Sequence, residues 1–119
     1  METIATSATT NTYRFSEKDS DGWEFPIDAT LSFNRTKLWI TLSLGTLKST
    51  DELPAEKLLK LLEFNNSYGP THFTMAEGKL MLTRPLDNLG ISKLDLTYAI
   101  SELKRATRET AGVWQELRK

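Results

Sequence analysis

Residues 29–47 read ATLSFNRTKLWITLSLGTL, and the reading of this stretch decides the fold. Ala29, Leu31 and Phe33 alternate with Thr30, Ser32 and Asn34, the period of two expected of a strand with one buried face. After the polar turn Asn34-Arg35-Thr36-Lys37 the alternation resumes. Leu38, Ile40, Leu42 and Leu44 fall on one face, and Trp39, Thr41 and Ser43 on the other. Two such runs joined by a short polar link predict an antiparallel hairpin.

Upstream, Tyr13-Arg14-Phe15 and Trp23, Phe25, Ile27 predict two more strands separated by the polar cluster Glu17-Lys18-Asp19-Ser20-Asp21-Gly22. Residues 1–12, METIATSATTNT, are Ser/Thr-rich with little periodicity and are expected to form a flexible tail. They carry no basic region and no apolar run of the kind an export signal has. Downstream, Pro54 precedes the strong helix formers Ala55 to Phe64, with Leu58, Leu61, Leu62 and Asn65 on one face. The helix is expected to end near Asn66, where Ser67-Tyr68-Gly69-Pro70 supplies a glycine cap and a proline that cannot continue it. Thr71–Met75 and Lys79–Thr83 predict a hairpin whose turn uses Gly78 for positive φ. Ser92-Lys93-Leu94-Asp95 has the form of a capping box and opens a long amphipathic helix toward Leu117. The expected fold is α+β: a mainly antiparallel sheet of about five strands packed with two helices, as one domain over 13–119.

Composition narrows the function. The 119 residues hold 15 basic and 16 acidic side chains, so no excess positive charge favours nucleic acid or an anionic membrane. With no cysteine there is no thiolate ligand, thiol nucleophile or disulfide, which fits a cytoplasmic protein. No run approaches the ~20 apolar residues of a membrane-spanning helix. His72 is the single histidine and has neither a nucleophile elbow nor a metal-ligand pattern around it, so it is read as a packed or surface residue. Glu17, Asp19, Asp21, Gly22 and Asp28 match a calcium loop in spacing. Glu stands at its first position, however, a short Asp at its last, and strands in place of its helices, so the cluster is read as a solvated acidic turn. No phosphate loop is present, and the basic residues of the last helix alternate with Glu102, Glu109 and Glu116. No cofactor is expected, and the chain is read as a non-enzymatic binding module.

The residues Leu58-Leu59-Lys60-Leu61-Leu62-Glu63-Phe64-Asn65, then Phe73 to Leu82 with the Glu77-Gly78 turn, then Pro85-Leu86 and the final helix resemble the class I type III secretion chaperones. They also resemble the related YbjN-like family, and the Ala29–Leu47 hairpin matches the preceding strands of both. The resemblance implies a convex sheet packed on helices, homodimers in the bacterial cytoplasm, and recognition of another protein. In those chaperones an effector segment wraps the dimer through apolar grooves. They also begin with an amphipathic helix, which Met1–Thr12 does not supply. The expected function is a chaperone-like or adaptor-like module that buries apolar surface of a partner protein. The alternatives are a structural homodimer subunit without a client, or a small-ligand-binding domain. The candidate interface residues are Trp39, on the polar face of its strand, with Leu58, Leu61, Leu62 and Phe64 of the helix; for Trp39, core or plain surface is the competing reading.

Overall fold

The structure, a computed structural model, describes residues 2–7 as backbone, and 12–19, 21–32 and 34–119 in full. Phe33 and Ser20, which entered the hairpin and acidic-turn readings, lie outside the described residues, as do Met1 and 8–11. Six strands form one sheet: β1 (Glu2–Ser7), β2 (Thr12–Lys18), β3 (Glu24–Leu31), β4 (Lys37–Thr46), β5 (His72–Ala76) and β6 (Lys79–Asp87), in the order β1-β2-β3-β4-β6-β5. Every pair is antiparallel. The helices are α1 (Ala55–Phe64), α2 (Lys93–Glu109) and α3 (Ala111–Leu117), with a short 3-10 turn at Thr50–Glu52.

The hairpin Ala29–Leu47 forms as its alternation predicts, with Thr30 opposite Trp39 and Ile27 opposite Leu42. Its turn is held by Asn34, whose Oδ1 accepts from Ser32 Oγ, Thr36 N and Thr36 Oγ1 at 2.8, 3.1 and 2.7 Å. The β5–β6 turn places Glu77 and Gly78 at φ 53° and 75°. Two consecutive positive φ values are what a two-residue turn needs to match the sheet twist. One face of the sheet packs under the helices: Phe15, Phe25, Ile27, Ile40, Leu42, Leu80 and Leu82 join Leu61, Leu103, Trp114 and Leu117 in a single core. The other face carries Thr12, Thr30, Trp39, Thr41, Thr74 and Thr83, with hydroxyl pairs Thr12–Thr30 and Thr74–Thr83 each at 3.1 Å.

Two expectations change. Glu2–Ser7, assigned above to the tail, pairs with β2 as a sixth strand; its β-branched Thr3, Ile4 and Thr6 favour extended backbone without marking an apolar face. The final helix divides at Thr110, which leaves helical geometry at φ −103°, ψ 4°. Thr107 and Thr110 hydroxyls bond back to Leu103 O and Ala106 O, both at 2.7 Å, a geometry that bends helices. The bend turns Trp114 inward, where its Nε1 donates to Thr107 O at 2.9 Å. The capping box forms in full, Ser92 Oγ accepting from Asp95 N at 3.1 Å and Asp95 Oδ2 from Ser92 N at 3.0 Å.

Candidate protein-binding surfaces

The predicted interface residues separate into three environments. Leu61 is 2% exposed and belongs to the core, so it supports the surface from beneath and is not free to contact a partner. One position on, Leu62 is 64% exposed and Leu59 61%. Leu58 and Phe64 are half-buried, with Phe64 held against Phe73 and Tyr68 at ring separations of 6.4 and 6.2 Å. Between α1 and β5 runs a groove of 280 Å³ lined by Leu58, Leu61, Leu62, Asn65, Phe73 and Met75. Asn65 fixes its geometry, accepting from Phe73 N at 2.7 Å and so tying the end of α1 to the start of β5. Among the described residues β5 is an edge strand paired with β6, and its outer side, where Asn65 takes the Phe73 N–H, faces this groove. An apolar helix face beside an open strand edge can bury side chains and form main-chain hydrogen bonds with one partner.

Trp39 is elsewhere. It stands on the helix-free face of the sheet, opposite Thr30 on β3 and Pro85 on β6, and is 38% exposed. It is thus neither core nor continuous with the α1 groove.

The sequence reading did not single out a third apolar region. Leu89, Leu94 and Tyr98 are all exposed and line a cleft with Arg84, whose guanidinium lies 5.4 Å from the Tyr98 ring centre. Leu94 could have been noticed: it sits in the first turn of α2, inside the capping box and off the stripe of Leu96, Ile100 and Leu103.

The acidic turn is occupied by cations of this chain. Lys104 Nζ lies 2.6 Å from Asp19, while Arg108 pairs with Asp19 and, at 2.8 Å, with Asp21. The hydrogen bond from Lys104 holds the Asp19 carboxyl below its usual range, and that from Arg108 does the same for Asp21. Arg108 also covers Trp23 and Phe25 at 5.3 and 5.8 Å, so the β2–β3 turn is clamped onto α2. At the other end of the helical layer, Glu116 raises the pKa of Lys57 across a 2.9 Å pair joining α1 and α3. His72 Nδ1 is 3.0 Å from Pro70 O. No group of three or more metal-ligating side chains occurs among the described residues, and among them no helix is long and apolar enough to cross a membrane.

No family model and no curated protein matches the chain. Solved structures do. A chain of the HopA1–SchA chaperone–effector complex superposes with a TM-score of 0.67 at 14% identity, over 92% of this chain and 80% of that one. This chain has a type III secretion chaperone-like fold. The ExoU–SpcU heterodimer of the Pseudomonas aeruginosa type III secretion system gives 0.61 at 20% identity, covering 96% and 89%. The ExsC–ExsE complex gives 0.61 at 16%, covering 85% and 76%. The chaperone-like fold thus extends over almost the whole chain.

Proposed function

We propose that this chain is a non-enzymatic protein-binding module of the cytoplasm, acting as a chaperone or adaptor that buries apolar surface of a partner. The observation that carries the reading is the α1–β5 groove, where Leu62 and Met75 stand exposed together beside the edge strand β5. Scattered exposed leucines need no explanation, but neighbours along one groove mark an interface. The occupant proposed for it is a second copy of the chain, because an apolar helix face and an antiparallel edge strand can each meet their own copy across a two-fold axis. Trp39, on the opposite face, is then left to meet the partner protein. Its large ring is of the kind that anchors protein contacts. The superposition on a chain of a chaperone–effector complex supports a protein partner. The test is co-expression with candidate partners encoded nearby, followed by measurement of complex mass. A dimer retaining one partner through purification is expected. A dimer that retains none would favour the structural-subunit reading, which uses the same α1–β5 surface.

A further inference from the structure

Arg84 stands in an apolar row. On β6, Leu82 lies opposite Leu42, Arg84 opposite Ile40 and Leu86 opposite Leu38, and side chains directly across a ladder share one face of the sheet. Ile40, Leu42 and Leu82 are core residues, so Arg84 points to the side that packs under the helices. A charge in such a place ordinarily has a counter-ion. Arg84 has none among the described residues. Its hydrogen bonding there is confined to Nη1, which donates to Thr71 Oγ1 at 3.3 Å, while Nε is closed off from solvent without an acceptor. The Tyr98 ring 5.4 Å away orients the guanidinium but supplies no negative charge. An uncompensated charge of this kind costs stability.

The cleft around Arg84 shows what can offset that cost. It measures 490 Å³, and Leu86, Leu89, Leu94 and Tyr98 line it. Leu89, Leu94 and Tyr98 are 81%, 77% and 59% exposed. A rim so open does not enclose a small molecule, which a ligand pocket buries by about 70% or more. It suits a chain laid across it. Asp87 and Asp95 also border the cleft, but both are engaged: Asp87 by Lys37 Nζ from the facing strand, Asp95 by Ser92 N in the capping box. The charge left unmatched is that of Arg84.

We propose that this cleft binds a segment of the partner protein in which a Glu or Asp, seated on Arg84, is flanked by large apolar residues that cover Leu89, Leu94 and Tyr98. This rests on the protein-binding reading above and gives the partner an acidic and apolar chemistry. The carboxylate supplies the missing counter-charge. Nη2 makes no hydrogen bond and, unlike Nε, keeps contact with solvent, so it is the nitrogen that an incoming carboxylate meets. The apolar flanks then exclude water from the pair, which strengthens it.

The test uses a library of random 12-residue peptides displayed on phage, selected on the intact protein and counter-selected on Arg84→Met. The strongest binder is synthesised as selected and with its acidic residue changed to the amide, and calorimetry reads both peptides on both proteins. Peptides with Asp or Glu beside Leu, Ile or Phe are expected. Either change alone should weaken binding at least about tenfold, and the second should add little to the first. Arg84→Met should melt no lower than the parent, because a thioether replaces an uncompensated charge in the apolar row. Leu89→Ser, at a position 81% exposed, should keep the melting temperature and bind at least about threefold more weakly. Equal binding by parent and Arg84→Met, indifference to the amide, full binding by Leu89→Ser, or no selectable peptide would each overturn the proposal. If Arg84→Met still retains a co-expressed partner as the parent does, the cleft is wrong and the protein-binding reading stands. If neither retains one, that reading falls too.

Discussion

Replacing Leu62 by Glu separates association from folding. Leu62 is 64% exposed, so in the monomer it contributes little, and a surface change of this kind shifts folding stability by roughly 0.5 kcal/mol or less. Fully burying a leucine side chain yields about 1.5–3 kcal/mol, and the exposed share of Leu62 leaves about 1–2 kcal/mol to be gained at an interface. In a two-fold dimer the residue occurs twice, for about 2–4 kcal/mol, and a carboxylate in its place adds a desolvation cost. The dimer dissociation constant should therefore rise by at least about 30-fold. Light scattering across a dilution series, with thermal melting of the same samples, reads both quantities. Leu61→Ala is the control: at 2% exposure it opens a core cavity, costs about 2–5 kcal/mol, and lowers the melting temperature first. An unchanged dimer in Leu62→Glu, or a loss of folding equal to that of Leu61→Ala, would refute the assignment of α1's outer face to self-association.

Other residues give further tests. Asp19 and Asp21 have folded-state pKa values below their ordinary 3.8, so the stability they supply is present above about pH 4 and is lost as pH falls through the lower folded values. Melting curves from pH 7 to pH 2 should show Asp19→Asn with Asp21→Asn destabilised at neutral pH and less sensitive to acid than the parent. Ser92→Ala removes the cap on Asp95 N and should cost about 1 kcal/mol in urea unfolding, with an unchanged slope. Trp39→Ser should fold as the parent does within about 1 kcal/mol and keep its dimer mass, while titration calorimetry shows weaker binding of a co-expressed partner. Loss of folding would place the ring in the core.

The sheet was legible because its burial is one-sided. Leu38, Ile40, Leu42 and Leu44 could alternate with polar residues only if one face met the helices, and Gly78 marked its turn by the φ it had to adopt. The capping box is equally local, two side chains three residues apart. What escaped the sequence depends on partners far along the chain. Asp19 and Asp21 read as a solvated acidic turn because their partners, Lys104 and Arg108, lie more than 80 residues away in the chain. The break at Thr110 is invisible to periodicity, since Thr107, Thr110 and Trp114 keep helical spacing through it. Leu61 and Leu62 look equivalent in a leucine-rich run, yet a rotation of about 100° per residue puts one in the core and its neighbour in solvent.

The most direct test of the central claim is the mass of the purified protein by light scattering after size exclusion across a concentration range, with mass spectrometry of whatever copurifies from the native host. The account predicts a stable dimer of this chain carrying a second polypeptide. A monomer at every concentration, with no companion, would contradict it.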